Sequence, residues 1–155
     1  MKYYTICLFG HRKIDDLNII EKKLRFIINE ILKRNDFVEI MIGRNGEFDE
    51  FAASIIKRLQ KEGYDSRLAI TLVLPYSCSN MDCLEKYYDG IIIPELASKW
   101  HPKGAIKKRN QYMVNCSDLV VVYVNKKGGA FDAFQFAKKS LKKSINLVED
   151  CCFDI

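Results

Sequence analysis

The sequence predicts a single α/β domain in which helices cover both faces of a mainly parallel sheet, as in a three-layer sandwich. Two observations indicate this fold class. Strand-like and helix-like segments alternate along all 155 residues, and the strand-like segments are continuous apolar runs of the kind that parallel sheets bury on both faces. The chain contains no internal repeat, low-complexity segment or linker, so we expect one domain over residues 1–155.

The elements follow from the apolar pattern. Short apolar runs predict strands at residues 3–9, 37–42, 68–74, 90–93, 119–124 and 145–148. Apolar residues at helical spacing predict helices at residues 17–31, 51–59, 103–115 and 130–142. Asp15 or Asp16 is placed to cap the first helix, and the second helix ends near Gly63. Long irregular stretches are expected at residues 76–88 and 95–102, and the second of them contains Trp100.

Composition and charge narrow the function classes. The net charge of +5, much of it within residues 99–109 and the last helix, suits an anionic small molecule or simply marks solvated helix faces. Nucleic-acid-binding proteins usually carry a stronger basic footprint, so no specific nucleic-acid partner is expected. No apolar run approaches the roughly 20 residues that span a bilayer, and the N-terminal segment resembles a first strand more than a signal peptide. We therefore expect a cytoplasmic protein without a membrane partner.

Cysteine and histidine spacing argues against a metal site. The six cysteines form no CxxC pair and lie far along the chain from His11 and His101, unlike the ligand spacings of zinc sites. Reduced thiols in a cytoplasm are the favoured interpretation. We expect neither a metal nor a cofactor.

Glycines and charged residues follow three of the predicted strands. The three segments are Gly10-His11-Arg12, Gly43-Arg44-Asn45-Gly46-Glu47-Phe48-Asp49 and Asn125-Lys126-Lys127-Gly128-Gly129-Ala130. Because the carboxyl ends of parallel strands meet at one edge of a sheet, we expect these segments to converge on one ligand crevice. Glycines let the backbone approach a ligand closely, and the helix N-termini that follow offer unpaired N–H donors to a phosphate.

The side chains of these segments suit a phosphorylated sugar. Arg12 and Arg44 are able to make bidentate contacts to phosphate. Glu47 and Asp49 either accept hydrogen bonds from ribose hydroxyls or cap the second helix. His11 is a satisfied histidine at a strand end, a base, or a phosphate contact. The glycine pair of the third segment is either a simple turn or part of the phosphate site.

A fourth candidate, Arg109-Asn110-Gln111-Tyr112-Met113, lies in the helix before the fifth strand. Arg109 and Met113 are four residues apart and share a helix face. Either that face meets the crevice, or Met113 belongs to the core and Arg109 to the surface. The chain has no complete GxGxxG and no GxxxxGK[ST] motif, so it predicts neither a standard dinucleotide-binding fold nor a P-loop NTPase.

Taken in order, these motifs resemble the SLOG superfamily. The residues that carry the resemblance are FGHR at 9–12, GRNGEFDEFA at 43–52, LPY at 74–76, RNQYMV and SDLVVVY within 109–123, and KKGGAFDAFQFA at 126–137. The chain most resembles small bacterial proteins of the DUF1273/YpsA-like group, over about residues 5–148. The resemblance implies a Rossmann-like fold and a nucleotide or nucleotide-derived ligand in the crevice.

The superfamily includes the LOG (Lonely Guy) phosphoribohydrolases, which cleave the base from nucleoside monophosphates. Arg109 and Met113 fit the R-x-x-x-M helix of those enzymes, and the Gly128-Gly129 pair fits their PGGxGT loop. Lys127 stands in place of the proline, while Phe134 and Gln135 occupy the positions of the catalytic glutamates. An amide such as that of Gln135 cannot exchange a proton as a carboxyl does.

Three hypotheses therefore follow. The first is a binding module for a nucleotide-derived ligand such as AMP, ADP-ribose or NAD, with Tyr76 stacking on the base. The second is an N-glycosidic-bond hydrolase, and the third is a non-catalytic interaction protein. The candidate ligand-binding residues are Gly10, His11, Arg12, Gly43, Arg44, Asn45, Gly46, Tyr76, Asn110, Met113, Gly128 and Gly129, and the candidate catalytic residues are Glu47, Asp49 and Arg109. Because LOG-like relatives commonly dimerise, a homodimer is a further expectation.

Overall fold

A computed structural model describes residues 1–95 and 101–149 of the chain. Lys99 and Trp100 of the second irregular stretch lie outside the described residues. The strands are β1 (Tyr3–Gly10), β2 (Phe37–Ile42), β3 (Leu68–Val73), β4 (Gly90–Ile92), β5 (Leu119–Tyr123) and β6 (Lys143–Asn146). The helices are α1 (Leu17–Leu32), α2 (Glu47–Leu59), α3 (Met81–Tyr87), α4 (Pro102–Cys116) and α5 (Gly129–Lys139), and a π-helical turn at Gln60–Tyr64 follows α2.

The described part of the chain forms the predicted α/β fold. Its six strands make one sheet in the order β4-β3-β2-β1-β5-β6, and every neighbouring pair is parallel. Strands β2, β3 and β4 follow one another outward on one side of β1. The chain then crosses to the other side of β1, where β5 and β6 lie. The direction of winding thus reverses between β1 and β5. In open parallel sheets this reversal leaves a crevice at the carboxyl ends of the two strands.

Two apolar layers hold the helices to the sheet. On one face, α1 and α2 bury a layer that includes Ile6, Leu8, Leu24, Ile28, Ile40 and Phe48. On the other face, α4 and α5 bury a layer that includes Cys7, Phe9, Met113, Val120, Val122 and Phe134. Alternate residues of β1 and β5 serve the two layers because successive strand side chains point to opposite faces. The result is the three-layer sandwich expected for apolar strands of this kind.

Helix α2 begins at Glu47, four residues before the predicted 51, and three further details differ from the prediction. The stretch 76–88 is not wholly irregular, because α3 occupies Met81–Tyr87 with Leu84 as its buried residue. Helix α5 ends at Lys139 rather than at residue 142, since Leu141 adopts a left-handed conformation with φ 57°. Strand β6 consequently begins at Lys143, two residues earlier than the predicted 145.

Local backbone geometry also sets the start of α1 and the end of the helical segment that includes α2. Asp16 occupies the cap position of α1, but it caps through its main-chain carbonyl, which accepts the N–H groups of Ile19 and Ile20. The second helical segment ends as predicted near Gly63, whose φ of 118° suits a residue without a side chain.

Candidate functional site

A cleft of about 480 Å³ lies at the carboxyl edge of the sheet, at the point where the strand order reverses. We call it the switch-point cleft. All three predicted segments and helix α4 contribute to it. The candidate residues that line it are Gly10, His11, Arg12, Gly43, Asn45, Asp49, Arg109, Asn110, Met113, Gly128 and Gly129. The convergence expected from parallel strand ends is therefore present.

Four candidates do not line this cleft, namely Arg44, Gly46, Glu47 and Tyr76. Arg44 turns toward the next loop, where its Nη1 donates to the Asn80 side-chain oxygen over 3.3 Å. The Glu47 carboxylate accepts the Ile14 backbone N–H over 2.9 Å and so braces the loop after β1. Tyr76 is 45% exposed, outside the cleft.

Arg109 is the most buried charged side chain of the cleft, with only 4% of its surface exposed. Its Nη1 donates to the Val73 carbonyl over 2.9 Å, and its Nε donates to the Asn110 side-chain oxygen over 2.8 Å. Among the described residues, its Nη2 group has no hydrogen-bond acceptor. Arg109 and Met113 thus share the face that meets the cleft, and Arg109 is not a surface residue.

Asp49 and this arginine both lie against Gly43, the residue that follows β2. A Cβ atom added to Gly43 would lie 2.9 Å from Arg109 Nη1 and 3.2 Å from Asp49 Oδ2, so a larger residue there would displace the Arg109 guanidinium. Burial raises the pKa of Asp49 to about 6, although the Asn45 N–H bond and the nearby Arg109 charge oppose the shift. Burial likewise lowers the pKa of Arg109, and the Asp49 carboxylate opposes this.

Asp49 both braces the start of α2 and lines the cleft. Its Oδ2 accepts the Asn45 backbone N–H over 3.0 Å, which closes the start of α2, and the side chain also lines the cleft. A carboxyl group whose pKa is shifted toward neutrality by burial in a cleft is able to exchange a proton near physiological pH.

His11 connects the loops after β1 and β5. Its Nε2 accepts the Asn125 backbone N–H over 3.0 Å, and 6% of the residue is exposed. Burial and the positive charge of Lys126 lower the pKa of His11. The imidazole is therefore neutral at physiological pH and carries its proton on Nδ1, since Nε2 is the acceptor. The hydrogen bond to Nε2 fixes the position of the loop that follows β5, and the imidazole also lines the cleft.

The loop at residues 125–129, which we call the 125–129 loop, leaves space in front of a helix start. A Cβ atom added to Gly128 or Gly129 would meet no atom within 4 Å. Gly128 has a φ of 155°, which residues with side chains rarely adopt. Helix α5 begins at Gly129, and its first N–H groups have no partner within the helix. Lys126 and Lys127 complete the charge of this wall of the cleft.

The junction at residues 43–47, which we call the 43–47 junction, is instead packed against its neighbour. A Cβ atom on Gly46 would lie 2.4 Å from the Arg12 Cα atom. The first N–H groups of α2 are used internally, since Glu47 N donates to the Arg12 carbonyl over 2.9 Å and Phe48 N to the His11 carbonyl over 3.4 Å. The first two N–H groups of this helix are therefore already bonded and are not available to a phosphate.

Gly10 serves packing rather than ligand approach. A Cβ atom at this position would lie 2.1 Å from Cγ of Phe48, whose ring is fully buried. The Phe48 ring stacks on Tyr123, with the ring centroids 6.2 Å apart. The glycine at the end of β1 thus allows α2 to sit close to the sheet.

The list of candidate residues left out seven further residues that line the cleft, namely Leu8, Phe9, Lys13, Ile106, Lys126, Lys127 and Ala130, although the last three belong to a segment that was expected to reach it. The two lysines carried a signal, because they precede a glycine pair at a strand end. Ile106 carried none, since one apolar residue on an amphipathic helix is indistinguishable from a core residue. No protein-family model and no curated protein matches the chain, so the case for a function rests on this geometry.

Within residues 1–95 and 101–149, no three histidine, cysteine, aspartate or glutamate side chains are grouped as a metal site would require. Over the same ranges, no helix is both long enough and apolar enough to cross a membrane.

Proposed function

We propose that the protein binds a nucleotide or a nucleotide-derived ligand in the switch-point cleft, with the ligand phosphate against the 125–129 loop. One observation carries the proposal. A buried arginine with an unused Nη2 group lies in the same cleft as an open, glycine-bearing helix start. Both features favour a phosphate: the arginine offers charged donors, and the helix offers backbone N–H groups and the positive end of its dipole.

The remaining contacts divide between the two ends of such a ligand. Arg12, Lys126 and Lys127 surround the phosphate position with positive charge. Asn110 and the backbone around Asn45 offer hydrogen bonds to ribose hydroxyls. Met113 and Ile106 supply the apolar surface that a base requires. This assignment moves the phosphate away from Arg44 and Gly46, which the sequence had favoured.

The same ligand class is expected from the resemblance to the SLOG superfamily. We propose that the chain is a member of that superfamily, of the DUF1273/YpsA-like type. Four of the segments that carry the resemblance contribute residues directly to the cleft, namely Gly10, His11, Arg12, Gly43, Asn45, Asp49, Arg109, Asn110, Met113, Gly128 and Gly129. We further propose that the protein works in the cytoplasm without a resident cofactor.

A thermal-shift screen tests this proposal. Ligands would be the four common nucleoside monophosphates, ADP-ribose and NAD, each compared with inorganic phosphate. Ligand at about 100 times its dissociation constant adds roughly 2.7 kcal/mol of stability, which for a domain of this size raises the melting temperature by several degrees. Gly129→Leu places a side chain in open space within the cleft and is expected to abolish the shift. Absence of any shift in the wild-type protein would contradict the proposal.

The raised pKa of Asp49 favours one further candidate, hydrolysis of an N-glycosidic bond. A carboxyl with a pKa of about 6 in this cleft is suited to protonate a departing base or to activate water. Glu47, the other carboxyl considered for this role, is occupied by Ile14 and lies outside the cleft. Release of free base from the best-bound nucleoside monophosphate, lost in Asp49→Asn while binding is retained, is the expected result. No release by the wild-type protein would leave binding alone.

A further inference from the structure

A second cavity of about 590 Å³ continues from the switch-point cleft between helices α4 and α5. We call it the α4–α5 groove. The two cavities share Ile106, Asn110 and Gly129 in their linings, so they meet at the start of α5. A ligand that leaves the cleft at this point enters the groove directly.

The groove has the chemistry of a binding site rather than of a packing defect. Ile106, Ala133 and Phe136 form an apolar surface, while Gln111, Asp132 and Gln135 offer hydrogen-bonding groups around it. Three lysines, at positions 103, 107 and 139, add positive charge at its edges. Within the described residues none of these lysines forms an ion pair, so their charges are available to a ligand.

Each cavity alone has the size of a small-molecule site, since such pockets measure about 300–1,000 Å³. One nucleoside monophosphate occupies only one of them. The connection at Gly129 is also the place where anionic charge is most favourable, because the N–H groups of α5 begin there and Arg109 lines the adjoining cleft. A linker that passes from one cavity to the other is therefore best made of phosphate.

From this continuity we infer that the ligand has two parts: a nucleoside diphosphate whose terminal phosphate is esterified to a second sugar-containing group. The nucleoside lies in the switch-point cleft, the pyrophosphate crosses at Gly129, and the second group lies in the α4–α5 groove. The inference rests on the proposed nucleotide binding and specifies its ligand class.

Isothermal titration with matched ligand series tests it. The series are AMP, ADP and ADP-ribose; UMP, UDP and UDP-glucose; and GMP, GDP and GDP-mannose. In the series that binds, the esterified member is expected to bind at least tenfold more tightly than the diphosphate. Gln135→Trp fills the groove from α5 and is expected to remove that advantage while changing the monophosphate affinity less than twofold. Gln111→Trp does the same from α4, in case the first variant folds poorly.

Asn18→Trp, an exposed position on α1 across the sheet, is the matched control and is expected to bind like the wild type. Equal affinity for the diphosphate and its esterified form would overturn the inference, and so would an advantage that survives both groove variants. In either case monophosphate binding would still stand, and with it the proposed function. Failure of every monophosphate, diphosphate and ester to bind would remove both.

Discussion

The 43–47 junction and the 125–129 loop are alike in sequence and opposite in structure. Each carries glycines, has basic residues nearby and opens a helix, yet Gly46 lies against the Arg12 backbone whereas Gly129 faces open space. At the first junction the helix N–H groups bond to carbonyls of the loop after β1. The difference teaches that glycine at a strand–helix junction serves close chain packing as readily as ligand binding. The two uses are distinguished only by whether a Cβ atom added to the glycine would meet a neighbouring atom or open space.

The largest expected effect is a loss of folding stability when a glycine that packs against a neighbouring group is replaced. Gly10→Ala forces a Cβ atom into the buried Phe48 ring and is expected to lower the free energy of unfolding by about 3 kcal/mol. Gly129→Ala, which meets nothing, is expected to change it by less than about 0.5 kcal/mol. Urea denaturation of both variants measures the contrast. Similar losses in the two would break the comparison.

Asp49 accepts a hydrogen bond from Asn45 of the 43–47 junction and lines the cleft, and its titration gives the next largest effect. The folded protein holds this proton up to about pH 6, whereas an ordinary aspartate loses it near pH 3.8. The proton therefore stabilises the folded state at low pH, and this contribution is lost as pH rises from about 4 to 6. At 1.36 kcal/mol per pKa unit, it amounts to roughly 2–3 kcal/mol.

Asp49→Asn removes the titration, so it isolates this contribution. Between pH 7 and pH 4, wild-type stability is expected to rise by roughly 2–3 kcal/mol relative to that of the variant. Urea denaturation at pH 4, 5, 6 and 7 gives the difference directly. Parallel pH profiles for the two proteins would show that Asp49 titrates alike in the folded and unfolded chain.

Replacing one arginine at a time tests which of the two regions binds the phosphate, with ligand affinity as the measured quantity. Arg109→Ala removes charged donors from the cleft and is expected to weaken nucleotide binding by about 1.5–3 kcal/mol, the scale of a charged hydrogen bond. Arg44→Ala, whose guanidinium contacts Asn80 instead, is expected to change the dissociation constant less than twofold. Isothermal titration of both variants decides between the two sites. A large loss with Arg44→Ala alone would return the phosphate to the 43–47 junction.

The smallest effect tests the exposed charge of the 125–129 loop. Lys127→Gln is expected to weaken binding by about 0.5–1 kcal/mol at low salt, and the loss should shrink as salt screens the charge. Lys143→Gln, an exposed lysine at the opposite end of the sheet, is the matched control and is expected to have no effect. Equal losses in both variants would indicate a general charge effect and no specific contact.

Much of the fold was predictable because continuous apolar runs mark buried parallel strands. Strand β2 lies at Phe37–Ile42, as its six apolar-rich residues indicate. Helix α3 was missed because Leu84 alone is buried, and one residue defines no period. The early end of α5 was missed because Leu141 adopts a left-handed conformation that is uncommon for residues other than glycine.

The position of the candidate site was predictable from the sequence, but the roles of its individual residues were not. Parallel strands that end in glycine and charged residues converge on one edge, and this placed His11, Asp49 and Gly128 in one cleft. Arg109 lies on helix α4, and the sequence left open whether it meets the cleft or the surface. The roles of Gly10 and Gly46 depend on contacts with Phe48 and the Arg12 backbone. Such contacts between distant parts of the chain leave no local pattern, so the sequence assigned both glycines to the ligand.

Backbone amide shifts would test the central claim most directly. In a ¹⁵N-labelled sample titrated with the nucleotide that gives the largest thermal shift, the account predicts that the Gly129 and Ala130 amide signals move most. The Glu47 and Phe48 signals should stay nearly unchanged, because their N–H groups already donate to the Arg12 and His11 carbonyls. Large shifts at Glu47 and Phe48, with Gly129 and Ala130 unmoved, would contradict the account and place the phosphate at the 43–47 junction.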